Sequence, residues 1–379
     1  MISFHKSFVD KEEAAAASAA VLRGSLSGNG DIGRKFESAV KRYTGSRHAF
    51  FTTSCTSAIE MALMALDIKK GDEVICPSFS FVSVANAVVK TGARLVFVDI
   101  DGETLNMDPA CMRDAITGKT KAVIAVHYAG SSCEMDEIVS ISKKKDIRII
   151  EDAAQAIGSF YNGRHLGTIG DIGCLSLHGT KNISCGEGGV FLTNDTVIAK
   201  TADIIREKGT NRSDFLKGKV DKYHWVSLGS SYVQSDILAA IAIEQLKKVD
   251  AITARRSANA RYLSDRLAGF CPFIKTQKLA EGASPNWHIY AIMLPGKKER
   301  DAFIKGMRKE GVECLTHFVP LHLSSFAVKN LGCKAGDFPV TEKVCDALVR
   351  LPVYPQLKIR DLEHIVNAAG RTIKRIRHG

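Results

Sequence analysis

No uninterrupted apolar stretch approaches the ~20 residues that a membrane-spanning helix needs; runs such as Ala14–Ala17 fall far short. The first residues, Met1 to Phe8, lack a basic region followed by an apolar core, so no secretory signal is expected and the chain is expected in the cytosol. Ten cysteines are present, at 55, 76, 111, 133, 174, 185, 271, 314, 333 and 345, but no two are spaced Cys-x-x-Cys and none stands at ligand spacing from a histidine. This excludes a zinc site and a disulfide framework as the organising principle and leaves reduced, small core residues. A Gly-x-x-x-x-Gly-Lys-Ser/Thr loop is absent, and no Gly-x-Gly-x-x-Gly follows the first strand, so the two common nucleotide signatures are excluded. Internal repeats and low-complexity linkers are missing as well.

What is present is an ordinary globular composition: 379 residues, 45% hydrophobic and 25% charged, with 17 Phe and 8 Tyr. The length fits two or three domains, or one large α/β domain with a smaller appendage, and it is enough to bury a core without staples. The net charge of +11 invites a nucleic-acid or small-anion partner. The basic residues are scattered, however: Lys143–Lys145 is followed by Asp146, and Lys297-Lys298 by Glu299 and Asp301. Only the tail Lys374-Arg375-Ile376-Arg377-His378 is biased. A solvated surface explains this pattern, no local feature supports a polynucleotide face, and an anionic substrate is compatible with it.

From about residue 36, short β-branched runs alternate with helical patterns. The runs 73–76, 95–100, 122–127, 148–151, 173–177 and 190–193 predict strands; 56–66, 82–91 and 134–144 predict helices. Such alternation predicts βαβ units, a mostly parallel sheet with helices on both faces, and a ligand site outside the strands' carboxyl ends. A long helical pattern follows Ser235 towards Leu267. Beyond it, strand candidates at 287–293 and 312–317 and helices at 300–310 and 360–376 suggest a smaller α+β domain, giving an expected division into 1–250 and 251–379.

Chemistry concentrates between 148 and 189. Asp152 follows an apolar strand and should emerge at its carboxyl end; its structural reading is the N-cap of a following segment. Lys181 follows the next strand and is flanked by Ser176, His178, Thr180 and the run Gly186-Glu187-Gly188-Gly189. It would otherwise be a solvated loop lysine. An amine and a carboxylate at neighbouring strand ends suit a cofactor whose aldehyde needs an amine and whose pyridine nitrogen needs an anion. Thr52 to Ser57 forms a hydroxyl-rich turn at a helix N-terminus, which fits a phosphate, though simple capping explains it too. Phe79 and Phe81 could face a planar ring or fill the core.

Taken together, these motifs resemble the DegT/DnrJ/EryC1/StrS sugar aminotransferases. The resemblance runs from Leu26-Ser27-Gly28 through Gly71-Asp72-Glu73, Val98-Asp99-Ile100, Glu151-Asp152-Ala153-Ala154-Gln155 and Lys181 with Gly186–Gly189, to Pro320-Leu321-His322 and Leu351-Pro352. The stretches His127–Gly130, Glu134–Asp136, Arg206–Ser213, Val220–Tyr223 and Gly229–Tyr232 resemble the branch that makes dTDP-4-amino-4,6-dideoxygalactose.

The resemblance implies fold type I, pyridoxal 5′-phosphate (PLP) as cofactor, and a homodimer with shared active sites. It implies Lys181 as the amine that binds the cofactor and moves the proton, Asp152 beside the pyridine nitrogen, Gln155 near the ring hydroxyl and Phe81 stacked on the ring. Ser54, Cys55, Thr56 and Ser176 would hold the phosphate. Many members contribute an Asn to that phosphate from the neighbouring subunit within Gly-Tyr-Asn-Tyr-Arg; this chain has Gly229-Ser230-Ser231-Tyr232-Val233, so Ser231 has a shorter reach and the Arg is gone. Arg212, Lys222 and Tyr223 would approach the substrate across the dimer interface, and His317 and His322 would line the sugar pocket. A dehydratase branch replaces the lysine with His, so Lys181 implies transamination. The expected substrates are dTDP-4-dehydro-6-deoxy-D-glucose and L-glutamate, with a gluco product, amination at the 3-position, or a non-catalytic regulator on the same fold as alternatives.

Overall fold

Seven short runs rich in Val, Ile and Phe build the central sheet: β1 His48–Thr52, β2 Glu73–Pro77, β3 Arg94–Val98, β4 Thr120–Val126, β5 Arg148–Asp152, β6 Ile172–Ser176 and β7 Gly189–Thr193. They come from a computed structural model that describes residues 1–378. Their order is β1-β7-β6-β5-β4-β2-β3. β2 to β6 run parallel, while β7 is antiparallel to both of its neighbours. Both faces are covered, which is why β2, β6 and β7 read as continuous rather than alternating apolar runs. One apolar cluster packs Phe36, Phe51, Ile75, Val123 and Leu175 on one side; another packs Ile59, Leu63, Val74, Ile124 and Phe191 on the other.

The six predicted strands and three predicted helices of this half are present with shifted ends. β1 is an addition, a brief Ala49-Phe50-Phe51 run that β7 recruits as an antiparallel edge. The long pattern after Ser235 is two helices, Asp236–Lys247 and Val249–Leu267, and residue 250 lies just inside the second. That second helix packs with Lys297–Lys309 and Ile359–His378 around a three-stranded antiparallel sheet containing Tyr290–Met293 and Leu348–Leu351. Residues 312–317 do not form the predicted strand: only Val312, bridging to Ile2, and Leu315, bridging to Arg350, make ladder contacts. No helix of the described residues is long and apolar enough to cross a membrane.

Two features of the sheet fix the geometry at its carboxyl edge. Gly189 sits where β7 crosses the Ser54 turn, and a Cβ there would lie 2.2 Å from Ser54 C and 2.4 Å from Cys55 N. Both are backbone atoms, so only glycine allows this approach. Glu151, fully buried in β5, accepts from Gly167 N and the His127 ring on Oε2 and from Ile169 N and Gly170 N on Oε1, all at 2.7–2.9 Å. Burial alone would push this carboxyl up, but the hydrogen bonds from His127 and the two glycine amides outweigh it and hold it below the usual range.

Gly189→Ala is expected to cost about 1–3 kcal/mol, as overpacking against rigid backbone does, read as a lower urea midpoint; an unchanged midpoint would refute the close-approach argument. Glu151→Gln places an –NH2 group against two donors whichever way its amide turns, and roughly 3–5 kcal/mol of stability is expected to be lost at pH 7. Because the folded-state carboxyl titrates below the unfolded value of ~4.3, its contribution is full above that value and lost as the pH falls through the folded one. The wild type should therefore lose stability on acidification more steeply than Glu151→Gln; parallel pH profiles would contradict this.

Candidate active site

The carboxyl ends of β5 and β6 open into a cavity of about 480 Å³. Asp152 is the last residue of β5 and pairs with Cys174 in β6. Its Oδ1 accepts from Ala154 N at 3.1 Å and lies 3.9 Å from Cys55 Sγ. Oδ2 has no partner among the described residues. Burial pushes the carboxyl above its usual range, and the Ala154 amide and the charge of Lys181 only partly restrain it.

Lys181 stands five residues past β6, in a turn closed by Leu177 N to Gly188 O, Gly179 N to Gly186 O and Cys185 N to Leu177 O. Gly186, at φ +95°, supplies the backbone conformation that the turn requires. Lys181 is buried on the cavity wall, and burial lowers its pKa while the charge of Asp152 opposes that effect. A buried lysine whose pKa is lowered, on the same wall as a carboxylate, is an amine suited to nucleophilic and proton-transfer work.

The helix Cys55–Ala65 points its N-terminus at the same space. Ser54 caps it, accepting from Ser57 N at 3.0 Å, and Thr56 Oγ1 bonds Ser83 Oγ at 2.8 Å. Ser176 Oγ accepts from His178 N at 3.3 Å and keeps its own proton free to donate. Gln155 Oε1 accepts from Ala129 N at 2.7 Å, so its –NH2 group remains for a ligand. Phe81, the residue before the helix Val82–Lys90, sits on the rim.

Of the residues singled out in the sequence, the cavity brings together Ser54, Cys55, Thr56, Phe81, Asp152, Gln155, Ser176, Lys181 and His317. It does not bring in Ser231, Arg212, Lys222 or Tyr223, which are exposed on a protruding arm of residues 207–231. His322 is also elsewhere: it is fully buried, with Nδ1 2.7 Å from Ser78 Oγ and Nε2 3.0 Å from Glu342 Oε1. The 3₁₀ turn Leu321–Leu323 carries it off the cavity wall.

Several lining residues escaped the sequence reading. His127 lies beneath Asp152; its Nδ1 accepts from Cys133 N, so its proton sits on Nε2 towards Glu151. His288 bonds Asn182 through Nδ1 at 2.9 Å, and burial holds it neutral. His317, which the sequence did single out, meets Tyr128 OH at 3.3 Å and is pushed down to about 2, first by burial and then by the charges of Arg350 and Lys181. Arg256, Arg350, Phe4 and His5 complete the wall. Only the His127-Tyr128 pair lay in a recognised stretch.

Comparison with known proteins agrees with this chemistry. The chain is 38% identical over 345 residues to the uncharacterized protein MJ1066 of Methanocaldococcus jannaschii, covering 89% of each. It is 32% identical over 373 residues to the spore coat polysaccharide biosynthesis protein SpsC of Bacillus subtilis, covering 97% of this chain and 95% of SpsC. Among solved structures, the putative sugar aminotransferase Spr1654 of Streptococcus pneumoniae, in its PMP form, superposes with a TM-score of 0.92 at 25% identity, covering 99% of this chain and all of that one. A family model matches residues 8–369, and with that match the chain belongs to the DegT/DnrJ/EryC1/StrS aminotransferase family.

Proposed function

We propose that this aminotransferase uses PLP to aminate a nucleotide-linked 4-keto-6-deoxy sugar: dTDP-4-dehydro-6-deoxy-D-glucose and L-glutamate give dTDP-4-amino-4,6-dideoxy-D-galactose and 2-oxoglutarate. The observation that carries the reading is the pairing of Lys181 and Asp152 across one cavity beside a hydroxyl-lined helix N-terminus. The residues fit the cofactor on chemical grounds: a carboxylate with one oxygen unpartnered, a buried amine, and free amide and hydroxyl groups where a phosphate would lie. The existence of Spr1654 in both a PLP form and a PMP form supports the same cofactor here. SpsC, by its name, supports a role in surface polysaccharide synthesis.

The bound cofactor supplies an electron sink that stabilises the carbanion left when a proton departs from the substrate carbon. Lys181 would hold the cofactor between turnovers and then carry that proton as general base and acid. Asp152 would keep the pyridine nitrogen protonated. Ser54, Cys55, Thr56 and Ser176 would hold the phosphate, Gln155 would donate to the ring hydroxyl, and Phe81 would cover the ring.

A homodimer in the cytoplasm completes the reading. The arm carries Trp225 at 74% and Leu228 at 73% exposure, apolar surface of the kind that a partner chain covers. Docked there, Arg212, Lys222, Tyr223 and Ser231 would serve the neighbouring site, with Ser231 reaching the phosphate through a water. His317 would face the sugar.

Incubation with the dTDP-4-keto sugar and glutamate, with analysis of the nucleotide products, tests this. An amino sugar whose proton couplings give the galacto configuration is expected; no amino sugar from that substrate would overturn the substrate assignment, and a gluco or 3-amino product would redirect it. Lys181→Ala is expected to lose at least ~10⁴-fold in rate, since it removes both the covalent partner and the base. Asp152→Asn should retain bound cofactor yet turn over at least ~10²-fold more slowly. Turnover of Lys181→Ala at the wild-type rate would refute the catalytic reading.

A further inference from the structure

The cavity wall carries more positive charge than cofactor chemistry uses. Besides Lys181, two guanidinium groups line it, Arg256 and Arg350, while the only carboxylates on the wall are Asp152 and Glu187. Asp152 is committed to the ring, and Glu187 faces His178 at 3.6 Å. Neither arginine has an acidic partner among the described residues; Arg256 is buried and Arg350 half-buried, an arrangement that an arriving anion would complete.

The two differ in how they are held. Arg256 is anchored, its Nη1 donating to Trp287 O at 3.0 Å and His288 O at 3.2 Å. The Arg350 side chain donates one hydrogen bond, from Nε to Thr316 O at 3.1 Å, so both terminal nitrogens lack an acceptor among the described residues. Its guanidinium carbon lies 4.7 Å from the centroid of the Phe4 ring, an aromatic face that steadies a cation without discharging it. Around it stand Lys181, Tyr128 and His317, none of which supplies negative charge near neutral pH. A planar fork with two free N–H edges matches a carboxylate in bidentate fashion.

We infer that Arg350 binds a carboxylate of the amino donor. The inference rests on the two-substrate reading above. A transaminase cavity receives an amino acid and a sugar in turn, and only the amino acid brings a carboxylate to the reacting carbon. Phe4 holds the guanidinium when the sugar occupies the cavity, so the same space serves an anionic and an uncharged reacting group. Arg350 thereby selects an amino acid as donor over a simple amine.

The test uses the cofactor-loaded enzyme and its Arg350→Gln and Arg350→Lys variants, each half-reaction being followed in single turnover by cofactor absorbance. With Arg350→Gln, the glutamate concentration for half-maximal rate is expected to rise roughly 10–100-fold, the loss of a charge-assisted hydrogen-bonded pair. Arg350→Lys should fall between, and the amino-sugar half-reaction should keep its wild-type concentration dependence. Calorimetric titration of 2-oxoglutarate into the aldehyde form, where it binds without reacting, should show the same order of affinities. Unchanged glutamate and 2-oxoglutarate affinity in Arg350→Gln, or an equal loss with the amino sugar, overturns the inference, the second outcome assigning Arg350 to the nucleotide sugar or to the fold. If the wild type accepts another amino acid but not glutamate, the donor proposal fails by itself, and the same comparison with that amino acid decides the role of Arg350.

Discussion

A buried amine and a buried carboxylate share one cavity, and the rest of the molecule is arranged to keep them there. Neither Lys181 nor Asp152 is comfortable alone: burial lowers the lysine's pKa and raises the acid's, and each charge partly relieves the other. Adjacent strand ends, β5 for Asp152 and β6 for the turn bearing Lys181, set the separation. That the two neighbouring strands are parallel is the constraint, because only then do both carboxyl ends open on the same side of the sheet.

Support for the pair comes from groups that never face the ligand. Glu151 ties the 167–170 loop and the His127 ring to β5, so the ring beneath Asp152 has one tautomer and one orientation. Gly189 lets β7 touch the Ser54 turn, which brings a helix N-terminus to the cavity at the height of the sheet edge. Burial holds His288 and His317 neutral, so these two offer hydrogen bonds rather than charge. Positive charge on the wall comes from Lys181 and the arginines.

The sheet's interior was legible in the sequence because strands buried on both faces leave unbroken β-branched runs, and turn residues separate them. Asp152 and Lys181 stood out for the same reason, as polar residues placed just past such runs. β1 was missed because its apolar run is brief and merges into the Thr52–Ser54 turn. The stretch 312–317 has strand composition, but its neighbours let it pair only at Val312 and Leu315. His288, Arg256 and Arg350 left no local signal, since they reach the cavity from separate elements by tertiary packing, and His127 stood in a recognised stretch without a role assigned to it. His317 and His322 look alike in sequence; only the turn after Pro320 separates a wall residue from one paired with Ser78 and Glu342.

Borohydride reduction of the yellow enzyme, followed by proteolysis and peptide mass analysis, tests the Lys181–Asp152 pairing most directly. A single peptide containing Lys181 and carrying the mass of the reduced cofactor is the expected result. A colourless protein after incubation with PLP, or a label on any other lysine, would contradict it.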